Sequence, residues 1–365
     1  MKKKVLHVSS GGLSPGGVAS VIFSIVETLN DEFDFDCVVF NKKSDLEDKY
    51  LKFGRLHRIN CYPQKGKRDY KELILRATKL YFGIKKVCKL TEYDVIHCHN
   101  QHDAWPCLLA AKHCGVPLRI SHAHVGTDNR KRFFVEKIIK KLSIRSLNKY
   151  ANIRIACSKG AGNLLFGTHE FRTIYNSIDL NRFSRSIVTK SSSLRFVHVG
   201  RYTYAKNQEF VLRAFACICK TLNDSHLDLV GYGEQHEVDR LSRLIKELKI
   251  EDKVDMISGD KVDIKEYYEK ANYMIFPSYF EGFGIVLLEA QAMGINCFVS
   301  EHIQQEADVG LLTFMNLSDG PEKWAEDIIK YINSNMPKSL DYSKLLEFGS
   351  ENIAKQYANI YNGMS

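Results

Sequence analysis

The residues best spaced to do chemistry lie in Phe276–Gly294, FPSYFEGFGIVLLEAQAMG. Two carboxylates, Glu281 and Glu289, stand eight positions apart around the small residues Gly282 and Gly284. The aromatic residues around Pro277 read as a strand running out into a loop. Ile285–Ala292 reads as a helix closed by Gly294. Glu281 therefore belongs to the loop before the helix, and Glu289 lies about a turn inside it. A helix start offers free N–H groups and a partial positive charge to an anion, and glycines let a ligand come close to that backbone. Ionised carboxylates only accept hydrogen bonds and hydroxyls donate them, so the pair suits a polyhydroxylated ligand, with phosphate at the helix start. The same spacing equally describes a plain strand–loop–helix unit with one solvated Glu and one Glu that favours the helix dipole.

The elements that must position this stretch follow from the rest of the chain. At 365 residues two domains are expected. Val5–Ser9 reads as a strand, Ser10–Gly17 (SGGLSPGG) as a glycine-rich loop able to cradle phosphate, and Val18–Leu29 as an amphipathic helix. The spacing is not G-x-G-x-x-G, and no acidic residue closes a second strand, which disfavours an NAD-dependent oxidoreductase. Further strands are expected at Phe35–Phe40, Asp94–His99, Leu118–His122, Arg154–Ser158 and Arg172–Tyr175. Ser186–Ser193 reads as a linker. A second series then has strands at Phe196–Gly200, Asp228–Gly231, Lys253–Ile257, Tyr273–Phe276 and Asn296–Ser300, before a closing helix at Lys344–Met364. Alternating strands and helices in both halves predict an α/β protein of two doubly wound domains facing across a cleft. The expected division is 1–185, a linker at 186–193, 194–345, and 346–365 packing back on the first domain.

Three further features bear on function. His97, His99, His102 and Asp103 make an H-x-H-x-x-H-D pattern that could ligate zinc; alternating strand positions followed by a helix cap explain it as well, and no metal is expected. His122 and His124 end a strand, at the edge where open α/β sheets bind ligands. Residues 1–185 carry 33 Lys+Arg against 17 Asp+Glu, a net of +16, whereas the remainder carries −7. Arg130–Lys149 alone has eight basic residues and one Glu, with Val135, Ile138, Ile139 and Leu142 on one helical face. That segment is either a solvated helix packed on the core or a contact for anionic lipid. Charge alone also admits a nucleic-acid binder, but aromatics are not interleaved at stacking intervals. The ten cysteines are scattered, which fits a reducing compartment. The apolar stretch Val5–Val8 is too short for a signal peptide, and no run approaches a membrane span, so a cytoplasmic protein is expected.

Five segments in this order resemble the GT-B glycosyltransferases of the retaining family-four group, which includes capsule and exopolysaccharide enzymes. EGFGIVLLE, Glu281–Glu289, is similar to that group's E-x7-E motif, and VGRYTYAKNQ, Val199–Gln208, to its diphosphate-binding Arg and Lys. VGYG, Val230–Gly233, is similar to its V-G-x-G turn. YNSID, Tyr175–Asp179, resembles its N-G-[IV]-D segment, with Ser177 for Gly. Gly16-Gly17 resembles the loop that closes over the donor phosphate. The resemblance runs nearly end to end and implies the following roles. Arg201 and Lys206 hold the nucleotide diphosphate. Glu289 accepts from the ribose and Glu281 from the donor sugar. Phe283, Gly284 and Ile285 offer backbone N–H groups, and the 257–261 loop faces the base. His124 occupies the T-x-H position near the reacting carbon, with His122 where the family often has Thr. Gly16, Gly17 and Asn176 complete the donor site. The implied activity is transfer of a hexose, with retention, from a nucleotide sugar (UDP as the nucleotide) to a lipid-linked or oligosaccharide acceptor in surface-polysaccharide assembly. It would act without metal or cofactor, at the inner face of the plasma membrane. Asp34-Phe35-Asp36 matches the D-x-D of metal-dependent sugar transferases, but it enters a strand rather than leaving one. An epimerase on nucleotide sugars is the alternative within the same fold; a phosphorylase would need a pyridoxal-binding Lys and usually a longer chain.

Overall fold

The structure is a computed structural model that describes residues 2–14, 16–40, 43–61, 70–126, 134–184, 193–258, 262–334 and 338–364. The chain forms two compact units, Met1–Ser177 with Ser350–Ser365, and Ile178–Gly349.

The first unit is built on seven strands: β1 (Lys3–Ser9), β2 (Phe33–Phe40), β3 (Gly54–Ile59), β4 (Val95–Cys98), β5 (Leu118–Ala123), β6 (Ile153–Ala156) and β7 (Arg172–Thr173). They form one parallel sheet in the order β3-β2-β1-β4-β5-β6-β7. The second unit has six: β8 (Leu194–Val199), β9 (Ser225–Gly231), β10 (Val254–Ser258), β11 (Tyr273–Phe276), β12 (Asn296–Ser300) and β13 (Leu312–Met315). They too are parallel, in the order β10-β9-β8-β11-β12-β13. Parallel neighbours require crossover connections, and helices such as Gly17–Leu29, Gln208–Thr221 and Ile285–Ala292 provide them. Both sheets reverse strand order once, between β1 and β4 and between β8 and β11. Ligands of open α/β sheets bind beyond the carboxyl ends of the strands at that reversal.

The inner strands read as apolar runs because both sheet faces are covered. β3 and β13 escape such a reading because they are edge strands. β3, Gly-Arg-Leu-His-Arg-Ile, is only partly buried along most of its length, and β13 has four residues.

The unit boundaries also differ from the expected 185 and 345. Ile178 belongs to the second unit, where it bridges to Gly349 and its N–H donates to the Phe348 carbonyl at 2.9 Å. Phe183 packs edge-on against Tyr268, centroids 6.1 Å apart. The linker read at 186–193 lies outside the described residues except for Ser193. The single closing helix is two helices, Tyr342–Glu347 and Ser350–Tyr361, interrupted at Phe348–Gly349. The last one belongs to the first unit. It buries Ile353, Ala354, Tyr357, Ala358, Ile360 and Tyr361 in the core with β1, β2 and the Gly17–Leu29 helix. Full burial of such a large apolar side chain stabilises by roughly 1.5–3 kcal/mol, so this helix is integral to the first unit.

Candidate active site

At the reversal point of the second unit, the loops after β8 and β11 are knitted together. The Tyr279 N–H donates to the Ala205 carbonyl at 2.9 Å, and Asn207 Nδ2 to the Pro277 carbonyl at 3.1 Å. Asn207 takes the left-handed conformation, φ 55°, that Asn tolerates better than most residues. Gln208 Nε2 donates to the Arg201 carbonyl at 2.8 Å, and His198 Nδ1 to the Ile275 carbonyl at 2.9 Å. Burial pushes His198 down to about 4, so it is neutral. These contacts deliver Lys206, over the Phe276 ring with Nζ 5.1 Å from its centroid, into an ion pair with Glu281. Arg201, earlier in the same loop after β8, is exposed.

The helix Ile285–Ala292 begins at the same place. Gly284 caps it at φ 80°, a conformation a side chain would strain, and its first turn leaves backbone N–H groups without intrahelical partners. Phe283 is 1% exposed and packs at a tilt against Phe348, ring centroids 5.5 Å apart, so its side chain anchors the loop. Glu289 lies one turn in, partly buried, and accepts from the Tyr268 hydroxyl at 3.3 Å. Burial pushes its carboxyl up to about 7. The Val-Gly-Tyr-Gly turn has an architectural cause. A Cβ on Gly231 would sit 2.0 Å from the Gly200 carbonyl oxygen, and one on Gly233 would sit 2.7 Å from Tyr202 Cβ. These glycines let the β9 turn lie against Tyr202, whose N–H donates to the Tyr232 carbonyl at 2.7 Å. Two cations, two carboxylates and a helix start at one strand reversal can hold a phosphorylated polyol.

The remaining expected residues lie in the first unit. Gly16 and Gly17 open the Gly17–Leu29 helix after β1, with open space around both. Asn176 is buried with Oδ1 unpartnered among the described residues, and Ser177 Oγ lies 2.5 Å from Ser24 Oγ. Asp179, from the same motif, begins the second unit and accepts from the N–H groups of Asn181 and Arg182 at 3.0 and 3.1 Å. His124 follows β5 directly and is partly exposed. The 257–261 loop lies outside the described residues beyond Ser258. The D-x-D pair is unsuited to metal: Asp36 is buried, and His57 (3.5 Å), Arg55 Nη2 (2.7 Å) and the Tyr93 hydroxyl (2.5 Å) hold its carboxyl well below the usual range.

The histidines are arranged otherwise than the H-x-H-x-x-H-D reading implies. Asp103 pairs with Arg76 at 3.1 Å. His97 and His99 turn instead to His7 on β1, to His122 on β5 and to His124 just past it. His7 Nδ1 lies 3.0 Å from His99 Nε2, and His99 Nδ1 lies 2.8 Å from His124 Nε2. His97 Nε2 lies 3.1 Å from His122 Nδ1, with the Tyr361 hydroxyl 2.8 Å from His97 Nδ1. Burial holds all five neutral, His7 and His124 down to about 3. His7–His97–His99 and His99–His122–His124 each bring one nitrogen per ring within 4.8 Å of the others, close enough for a metal ion. The signal in the sequence is a pair of histidines two apart where β4 and β5 end, His97/His99 and His122/His124, with His7 in the apolar β1.

Two family models match the two units in turn: "Glycosyltransferase Family 4" over residues 15–182 and "Glycosyl transferases group 1" over residues 181–344. The chain belongs to the GT-B glycosyltransferases of the family-four group. The transferase is 22% identical to the capsular polysaccharide biosynthesis glycosyltransferase CapH of Staphylococcus aureus over 356 residues, 94% of this chain and 95% of that protein. It is 25% identical to an Escherichia coli UDP-Gal:alpha-D-GlcNAc-diphosphoundecaprenol alpha-1,3-galactosyltransferase over 321 residues, 79% of this chain and 77% of that one. Its fold is that of Anabaena Alr3699/HepE, solved with UDP and glucose: TM-score 0.79 at 18% identity, covering 99% of both chains.

Proposed function

We propose that this glycosyltransferase moves a hexose from a UDP-sugar to a lipid-linked or oligosaccharide acceptor, with retention, in surface-polysaccharide assembly. The observation that carries the reading is the Lys206–Glu281 pair just before the Ile285–Ala292 helix, with Arg201 exposed in the same loop as Lys206. When the donor enters, its diphosphate competes with Glu281 for the Lys206 ammonium. Lys206 and Arg201 then neutralise the leaving diphosphate, and Glu281, released, accepts a sugar hydroxyl. Glu289 accepts from the ribose, and His124 meets the sugar near its reacting carbon. The bond from the anomeric carbon to the diphosphate oxygen breaks while the acceptor oxygen bonds on the same face, and the acceptor proton passes to the departing phosphate. The CapH and galactosyltransferase relatives support the polysaccharide role and the diphosphoundecaprenol-type acceptor.

The cations Arg201 and Lys206 make the transfer metal-independent, so activity survives excess EDTA. The decisive measurement is product analysis by NMR, with UDP-, GDP- and ADP-hexoses offered alongside a polyprenyl-diphosphate-linked sugar. An α-linked product from an α-linked UDP-hexose supports the reading. Inversion, transfer only from another nucleotide, or rescue by Mn²⁺ after EDTA would each remove the corresponding part.

The acceptor also implies peripheral membrane docking by the first unit. No helix among the described residues is long and apolar enough to cross a membrane. The helix Phe134–Tyr150 leaves Val135, Ile138 and Leu142 exposed at 54%, 43% and 57% among Lys137, Lys141, Arg145 and Lys149. An apolar stripe turned outward between cations fits a lipid interface rather than core packing.

A further inference from the structure

His7, His99 and His124 form one hydrogen-bonded row of imidazoles across three adjacent strands. Its direction follows from counting protons. Each ring is neutral and carries a single N–H. His99 uses both nitrogens, so it donates through one and accepts through the other. Two polarities are possible. If the bonds ran from His124 toward His7, His7 Nε2 would carry an N–H that is buried and has no partner among the described residues. If they run toward His124, His7 Nε2 is only a bare lone pair. A buried donor left unpaired is the rarer and costlier defect. The second arrangement therefore holds: His7 Nδ1–H donates to His99 Nε2, and His99 Nδ1–H donates to His124 Nε2.

Two observations fix His124 further. Its ring packs 3.9 Å from His122 and 5.1 Å from His99, centroid to centroid. Gln101, at the strained φ of 52° just after β4, can turn its side-chain oxygen to accept the backbone N–H groups of His124 and Val125 at 2.8 and 3.2 Å. His124 Nε2 is thus occupied as an acceptor, and Nδ1, with no protein partner among the described residues, carries the proton.

We propose that His99, backed by His7, is a positioning residue that locks His124 as the Nδ1–H tautomer, so that His124 meets the donor sugar as a neutral hydrogen-bond donor and not as a base. This rests on the transferase reading of His124. It assigns the row a role in donor recognition instead of metal binding, and the N···N distances are those of direct hydrogen bonds.

The test is long-range ¹H–¹⁵N correlation of the full chain labelled on histidine nitrogen, with His124 assigned by the resonances missing from His124→Gln. The expected spectrum shows Nδ1 protonated and Nε2 not. His99→Phe keeps the ring shape and removes both bonds. It should give a mixed His124 tautomer and raise KM for the donor sugar roughly tenfold, the scale of one hydrogen bond, with KM for the acceptor unmoved. His99→Asn, which keeps an amide donor near the position of Nδ1, should restore the tautomer and most of the donor KM. An Nε2–H tautomer in the wild-type chain overturns the inference and leaves the transferase reading standing; this spectrum decides even if His99→Phe does not fold. Uptake of one equivalent of Zn²⁺ or Co²⁺, lost in His99→Phe, also overturns it in favour of a metal site. Full activity in His124→Gln removes His124 from the donor site and overturns it through the transferase reading itself.

Discussion

The two units share one strand order and fill its reversal point in opposite ways. Beyond β1, β4 and β5 the first unit places neutral imidazoles, buried and bonded to one another. Beyond β8 and β11 the second places a full ion pair, a second cation and a carboxyl poised near neutrality. Topology therefore dictates where a site can form, and side chains alone decide its electrostatics. Neutral donors suit a reacting sugar, where a fixed charge would have to be desolvated, whereas a diphosphate demands cations.

The contrast is open to attack through pH, where the largest effect is expected. The histidines have folded pKa values below the ordinary 6.5, so the unfolded chain binds more protons in acid. Their contribution to stability is complete above pH 6.5 and falls as pH drops toward about 3. Each buried imidazole approaches a loss of about 1.4 kcal/mol per pH unit in that window. Thermal melts between pH 8 and pH 5 should fall steeply, and a His7→Gln, His97→Gln chain that still folds should melt with a shallower slope. Equal slopes would mean that the buried histidines do not govern acid stability.

Next in size are the cations of the second unit. Lys206→Ala and Arg201→Ala should each weaken UDP binding by roughly 1.5–3 kcal/mol, the scale of a hydrogen bond to a charged group. Calorimetry with unchanged affinity in both would break the comparison outright. Gly231→Ala should destabilise the second unit by about 1–3 kcal/mol through its clash with the Gly200 carbonyl, seen as a lower urea midpoint with unchanged His124 resonances.

Glu289 runs opposite to the histidines. Its folded pKa is raised, so its contribution is present below pH 4.5 and lost as pH rises through about 7. Glu289→Gln should therefore raise the melting temperature of the unliganded chain at pH 8 while weakening UDP binding; no gain in melting temperature would show the carboxylate is already well solvated. The smallest effect concerns lipid: neutralising Lys137, Lys141 and Arg145 should reduce liposome co-sedimentation by about 1 kcal/mol per charge, and only on anionic vesicles.

Much of this was legible in the sequence, and the rest was hidden for identifiable reasons. The inner strands announce themselves because burial on both faces demands apolar runs. The β8 and β11 loops announce themselves because glycine, Lys, Arg and Glu cluster there. The Lys206–Glu281 pair is not legible, since 75 residues separate its members and only strand order makes them neighbours. The histidine row shows the same limit. His99 and His124 stand two residues after His97 and His122 where β4 and β5 end, but grouping His97 and His99 with His102 and Asp103 follows chain proximity, whereas the fold pairs them across strands. The apolar stripe of Phe134–Tyr150 was visible as well, but only the structure turns it outward.

The bridge between Ile178 and Gly349 has a consequence for how such enzymes can change. The second unit is one continuous passage of chain whose entrance and exit touch. A segment with adjoining ends can be exchanged as a cassette, because two cuts at one spot leave the host's own strands and final helix in place. Splicing at 177/178 and 349/350 would graft another relative's nucleotide-sugar pocket onto this chain's first unit. If the second unit holds the donor, as proposed, donor choice changes by recombination of that one passage.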